Sequence, residues 1–170
     1  MFTDASVNFQ RFDMAFGLTE LQSDHLRSLN FDPERVAHIH QTHGNRVLDI
    51  DEAYIEDGLI VDADGVITAD PAVVLTIRTA DCIPIFLYDQ DARAIGLVHA
   101  GWRGAADDII GNAVAAMKKS CHASPENIKA VLGPSIRRCC YQVGQEFCAI
   151  FPEHVMPQEG NWFLDLQAAC

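Results

Sequence analysis

The stretch IPIFLYDQDARAIGLVHAGWRGAADDIIGNAVAAMKKS (Ile83–Ser120) decides the fold class. It opens with two continuous apolar runs, Ile83–Tyr88 and Ala94–His99. Runs without polar alternation suit strands that are covered on both faces. Gly101–Gly104 then lead into a segment with helical character, Ala105–Ser120. Asp107 and Asp108 are expected in its first turn and Lys118 and Lys119 in its last, so both ends complement the helix dipole.

The flanks extend the same pattern. Upstream, Ala72–Arg78 is a third apolar run and Arg46–Ile50 reads as a strand. RVAHIHQTHG (Arg35–Gly44) predicts a strand running into a glycine turn. Period two places Ala37, Ile39, Gln41 and His43 on one face, with His38 and His40 on the other. Thr19–Leu29 predicts a short helix, with Thr19 as N-cap and Gln22 completing a capping box. Downstream, Ile128–Gly133 predicts a strand and Val143–Phe151 a helix. Strands and helices mix without strict alternation, so the expected class is α/β (α+β), mixed sheets flanked by helices. No repeat, low-complexity stretch or Gly/Ser/Pro-rich linker divides the 170 residues, which suit a single domain, 1–170, with one substantial core.

A formal net charge of −12 repels phosphate backbones and anionic lipid, so nucleic acid and membrane are not expected partners. A neutral small molecule meets no such barrier. No apolar run approaches the roughly 18 residues of a membrane span. Met1–Gln10 include Asp4 and lack an apolar stretch after a basic start, which argues against a signal peptide and for a cytoplasmic protein. The six cysteines are then expected to be reduced, and the adjacent pair Cys139–Cys140 has poor geometry for mutual pairing.

Three short segments carry chemistry: QTHGNRV (Gln41–Val47), TADCIPI (Thr79–Ile85) and VHAGWRGAADDI (Val98–Ile109). Each places one His or Cys where a strand meets a turn, the usual seat of ligand and catalytic groups. His43, Cys82 and His99 would form a borderline-soft donor set suited to zinc, with a fourth position open for water or substrate. The same residues also read as a turn-capping His43, a core-filling Cys82 and a hydrogen-bonded buried His99.

These three segments, with DADGVIT (Asp62–Thr68), LGPSIRRCCYQVGQEF (Leu132–Phe147) and FLDLQAA (Phe163–Ala169), resemble the bacterial laccase-domain family. It is also described as the YfiH-like polyphenol oxidase or purine nucleoside phosphorylase family. The resemblance covers the chain from about Gln41 onward, and HAGWRG (His99–Gly104) is its most specific part. It implies an α/β/β/α layered arrangement and a metal held by His43, Cys82 and His99, zinc or alternatively copper. It implies action on purine nucleosides with phosphate, by phosphorolysis or adenosine deamination, or oxidation of phenols. Gln142 stands where the family carries a carboxylate, and the family continues beyond LDLQAA with a further Cys-containing segment, so this chain is expected to lack that C-terminal part.

Further residues have two readings each. Arg103, near the start of the expected helix, would hold phosphate, or it forms a surface ion pair. Trp102 would stack on a base or pack in the core. Asp81 would orient an imidazole or take a substrate proton, or simply form a turn. Asp62 and Asp64 read as turn residues. Arg78, at the end of an apolar strand, needs a partner and is a substrate-binding candidate. Cys139, Cys140 and Tyr141 would line the pocket or build a core turn. His25, His122 and His154 read as surface residues, and His38 and His40 are excluded as ligands by facing away from His43.

Four function classes follow. The first is a zinc-dependent purine nucleoside enzyme. The second is a metal-free Cys–His hydrolase with Cys82 as nucleophile and His99 or His43 as base. The third is a non-catalytic truncated paralogue. The fourth is a copper-dependent phenol oxidase, for which only three well-placed ligands are found.

Overall fold

The two long apolar runs pair with each other. The structure is a computed structural model and describes residues 20–51, 54–55 and 60–170. Its elements begin with α1 (Glu20–Ser28), β1 (Val36–Ala37), β2 (Ile39–His40), β3 (Val47–Asp49), β4 (Val61–Asp62), β5 (Gly65–Thr68) and β6 (Val74–Leu75). The long hairpin β7 (Ile83–Asp89) and β8 (Ala94–Ala100) follows, then α2 (Trp102–Ala106), α3 (Ile109–Ser120) and β9 (Lys129–Leu132). The chain closes with β10 (Gln142–Val143), α4 (Phe147–Ile150), β11 (Val155–Gln158), β12 (Asn161–Leu164) and α5 (Leu166–Ala169).

The central sheet has the order β3-β5-β8-β7-β9. β3 and β5 run parallel and the other neighbours antiparallel. Period-two alternation sorts its side chains into two cores. Ile67, Ile83, Ile85, Leu87 and Val98 join Ile109, Ala113 and Met117 of α3 on one face. Val66 and Leu97 join Ala37, Ile39, Ile50 and Val73 on the other, with Phe86 packed against them. Burial on both faces explains why β7 and β8 read as unbroken apolar runs. Two parallel pairs, β1-β6 and β2-β4, and the antiparallel set β10-β12-β11 complete the strands. The expected mixed sheets flanked by helices are present.

Three expectations shift and two hold. The predicted helix Ala105–Ser120 is two helices, α2 and α3, separated at Asp107 and Asp108. Asp108 adopts a left-handed φ of 55° and caps α3, its carboxylate accepting from Gly111 N–H at 3.1 Å. Local side-chain capping thus outcompetes continuous helix. Of Ala72–Arg78 only Val74–Leu75 is strand, since its partner β1 is two residues long. Of Val143–Phe151 only Phe147–Ile150 is helical, and Val143 pairs with Trp162 instead. The Ile128–Gly133 strand forms as β9, on a sheet edge with all four residues exposed. The helix predicted from Thr19 is present over Glu20–Ser28, and the Thr19 cap lies outside the described residues.

Candidate metal centre

Strand register assembles the site. β7 and β8 pair Ile83 with Ala100 and Pro84 with His99. Cys82, one residue before β7, and Gly101, one residue after β8, therefore meet at the same sheet end. β5 pairs Gly65 with Val98, which brings Asp64 to His99. The His99 backbone N–H donates to the Asp64 carbonyl at 2.7 Å.

The loop after β2 wraps around the Asp64 side chain. Asp64 Oδ2 accepts from Thr42 N–H at 3.0 Å, Thr42 Oγ1–H at 3.1 Å and Gly44 N–H at 2.7 Å. Asp64 Oδ1 accepts from His43 N–H at 2.9 Å and from His99 Nδ1 at 2.8 Å. His43 takes a left-handed φ of 60°, so successive N–H groups converge as an anion nest. The anion here is the chain's own carboxylate, and it holds His43 in a conformation that is strained for a side chain with a Cβ. Burial of Asp64 opposes its ionisation. The bonds from the His99 ring and from Gly44, Thr42 and His43 outweigh that and bring its pKa down to about 2. An ionised Asp64 at His99 Nδ1 leaves Nε2 as the atom available to a metal.

His43, Cys82 and His99 each offer one ligand atom, and these atoms lie within 4.8 Å of one another. The two imidazoles meet edge-on at 81°. Burial disfavours charging His99, but the Asp64 hydrogen bond, with the hydrogen bond and charge of Cys82, lifts its pKa to about 9. The trio spans an exposed His43, a half-buried Cys82 and a buried His99. It opens onto a cleft of about 440 Å³ that Gln41, Arg78, Thr79, Ala80 and Asp81 also line. All seven His and six Cys lie within the described residues, and among those residues this is the one such group that includes more than a single imidazole or thiol. Two imidazoles and one thiol with an open side match the donors of a borderline metal such as zinc or copper.

Bare backbone makes the packing possible. A Cβ on Gly101 would lie 3.1 Å from His43 Cδ2 and 3.2 Å from Cys82 Sγ. A Cβ on Gly104 would lie 2.7 Å from the Gly44 carbonyl oxygen, so α2 can approach the His43 loop only without a side chain there.

Two residues escaped the sequence reading. Asp64, read as a turn residue, is the carboxylate that orients His99. The available signal was an Asp directly before the buried run Gly65–Thr68, where a charge needs partners. Gln41 acts as a clamp: its Nε2 donates to the Arg78 carbonyl at 2.8 Å and its Oε1 accepts from Arg78 N–H at 2.7 Å. That pair imitates a strand bridge and ties the His43 loop to the segment leading into Cys82. No local pattern reveals it.

The other expected residues are distributed as follows. Arg78 and Asp81 line the cleft, and the Asp81 carbonyl accepts from Ile136 N–H at 2.9 Å. Trp102 packs edge-on to Phe147 with ring centroids 5.0 Å apart. The exposed Arg103 lays its guanidinium 4.4 Å above the Trp102 ring, and neither lines the cleft. Burial pushes the Tyr141 phenol up, Cys82 and Asp81 push the same way and Arg103 opposes, so Tyr141 lies within electrostatic reach of all three. Cys139 is exposed beside Cys140, and all six cysteines are free. His40 pairs with Asp62 at 2.8 Å, away from the trio. The period-two placement of His43 does not apply, because the strand ends at His40 and His43 sits in the turn. Among the described residues no helix is long and apolar enough to cross a membrane.

A family model described as multi-copper polyphenol oxidoreductase laccase matches residues 2–170. A purine nucleoside phosphorylase of Xylella fastidiosa is 39% identical over 140 residues, covering 76% of this chain and 52% of the relative. One of Deinococcus radiodurans is 36% identical over 147 residues, covering 84% and 56%. The chain thus spans about half the length of the curated relatives it matches. Among solved structures, the Bacillus licheniformis hypothetical protein YfiH superposes with a TM-score of 0.78 at 26% identity, covering 86% of this chain and 61% of that one. YlmD from Geobacillus stearothermophilus gives 0.76 at 30% identity, covering 85% and 59%.

Proposed function

This chain belongs to the family described as multi-copper polyphenol oxidoreductase laccase, and on that premise we propose that it is a metal-dependent purine nucleoside enzyme acting by phosphorolysis, by deamination of adenosine-type nucleosides, or both. The observation that carries the reading is the convergence of His43, Cys82 and His99 within 4.8 Å, with His99 oriented by Asp64. Relatives named purine nucleoside phosphorylase supply the substrate class. Zinc is the preferred ion and copper the alternative. When bound, it would supply Lewis acidity at the open side of the trio.

The chain's own residues do the rest. The cleft between Arg78, Asp81 and the trio takes the neutral nucleoside, which the −12 charge does not repel. Arg103 stands outside the cleft lining but within electrostatic reach of Tyr141, which is itself within reach of Cys82 and Asp81, and Arg103 would bind phosphate at the cleft's edge. In phosphorolysis a phosphate oxygen bonds to the anomeric carbon, the carbon–nitrogen bond to the base breaks, and the departing purine nitrogen takes a proton, for which Asp81 and Tyr141 are the nearby carriers. Trp102 and Cys139 would shape the substrate's surroundings from behind this rim. Six free cysteines suit a reducing, cytoplasmic setting.

The test is elemental analysis of the purified chain, joined to a screen of adenosine, inosine and guanosine with and without phosphate. About one zinc per chain and turnover of at least one nucleoside are expected. Protein without stoichiometric metal and without turnover overturns the proposal.

A second reading has its own support. Cys82, His99 and Asp64 also form a nucleophile–base–carboxylate chain, as a Cys–His hydrolase uses. His43 favours the metal, since a thiol nucleophile has no need of a second imidazole. Alkylation of Cys82, followed by peptide mass spectrometry, separates the two. A metal-bound thiolate resists labelling until chelator is added, whereas a free nucleophile labels at a rate that chelator does not alter.

A further inference from the structure

We propose that Cys139 and Cys140 form a second, separate binding site, a vicinal dithiol that chelates one soft, thiophilic centre of the trivalent metalloid class. The pair is not part of the His43–Cys82–His99 group, and the proposal does not depend on the function assigned to that group. Three observations carry it.

The first is spacing. The two Sγ atoms lie 3.1 Å apart, with one thiol donating to the other. That exceeds a disulfide's roughly 2.05 Å, yet it is close enough for one centre to bond both. The second is exposure. Both residues are exposed, whereas Cys121 is buried and Cys82, Cys148 and Cys170 are half-buried. The third is a fixed backbone. Cys140 N–H and Tyr141 N–H both donate to the Arg137 carbonyl, at 2.9 and 3.0 Å, and Gln142 N–H donates to the Cys140 carbonyl at 3.1 Å. Neighbouring side chains usually diverge; this turn sends both thiols the same way and so presents a preformed two-sulfur grip.

Soft sulfur donors select soft centres. Two bonds from adjacent residues also make release slow, because when one sulfur lets go the other keeps the centre at high effective concentration. With phenylarsine oxide the balance is simple. Both arsenic–oxygen bonds break, two arsenic–sulfur bonds form, and the two thiol protons leave with the oxygen as one water. Arsenic stays trivalent and no oxidant is needed.

The experiment treats the full chain with one equivalent of phenylarsine oxide, challenges it with excess monothiol or with 2,3-dimercaptopropanol, and reads adducts by intact mass and peptide mapping. We expect one adduct on a peptide bearing both Cys139 and Cys140, stable to monothiol and removed by the dithiol. Cys139→Ser and Cys140→Ser should each weaken retention at least about a hundredfold, and Cys82→Ser should keep it. An adduct that monothiol removes from the wild type, or one mapped to Cys82, Cys148 or Cys170, overturns the proposal. Mapping on the wild type keeps the test decisive even if a serine variant folds poorly.

Discussion

Asp64→Asn should weaken both the fold and the metal site, and the structure gives the size of each effect. An amide offers one acceptor oxygen where the carboxylate offered two. If the new –NH₂ takes the Oδ2 position, it faces the N–H groups of Thr42 and Gly44. If it takes the Oδ1 position, it faces His43 N–H and the His99 ring. Either way about two donors, part-buried at the loop and buried at His99, lose their acceptor, at about 1–3 kcal/mol each, or about 2–6 kcal/mol together as an upper range. Set against a typical total of about 5–15 kcal/mol, the chain should still fold but melt earlier. Loss of the oriented charge on His99 should reduce metal affinity about 10–100-fold. Urea unfolding followed by circular dichroism measures the first effect, and zinc competition with a chromophoric chelator measures the second. Asp62→Asn is the control: Asp62 is exposed and its carboxylate bonds the exposed His40, so it should stay within about 0.5 kcal/mol of wild type. An Asp64→Asn protein matching that control in both assays would refute the account of the nest.

Four further outcomes follow. Gly104→Ala sets a Cβ 2.7 Å from the Gly44 carbonyl oxygen, so α2 must shift; a loss of about 1–3 kcal/mol in urea unfolding is expected, and an unchanged midpoint would contradict the close approach. His99, raised from 6.5 to about 9 in the metal-free chain, contributes stability that is full below 6.5 and is lost as pH rises through about 9. Asp64, lowered from 3.8 to about 2, contributes stability present above 3.8 and lost as pH falls through about 2. Because a ligating Nε2 must shed its proton, apparent zinc affinity should climb with pH up to about 9, and a pH-independent affinity would count against His99 as a ligand. Arg103→Ala should weaken dependence on phosphate more than nucleoside binding; steady-state kinetics with an unaltered phosphate response would remove Arg103 from the phosphate site.

Much of the fold was legible locally. Apolar runs marked β7 and β8, because strands covered on both faces need no polar alternation. QTHG, TADC and HAGWRG each place one His or Cys where a strand meets a turn, and the family resemblance they carry singles out His43, Cys82 and His99 as a ligand set. Where local reading failed, a competing local bond or a missing strand partner had won. Asp108 caps α3 and so breaks the expected helix. β1 is too short to extend β6 across Ala72–Arg78.

What the sequence determined by itself was the set of chemically capable residues and the class of fold, because residue type and periodicity are local properties. What only the tertiary structure decided was which of those residues touch. Asp64 and Asp81 look alike along the chain, each an acidic residue at a turn beside the chemistry. The β5–β8 register puts Asp64 under His99, while Asp81 is an exposed residue of the cleft lining. Gln41 likewise becomes a clamp only when Arg78 is folded against it. Register depends on how distant strands share a core, and no window of sequence contains both partners.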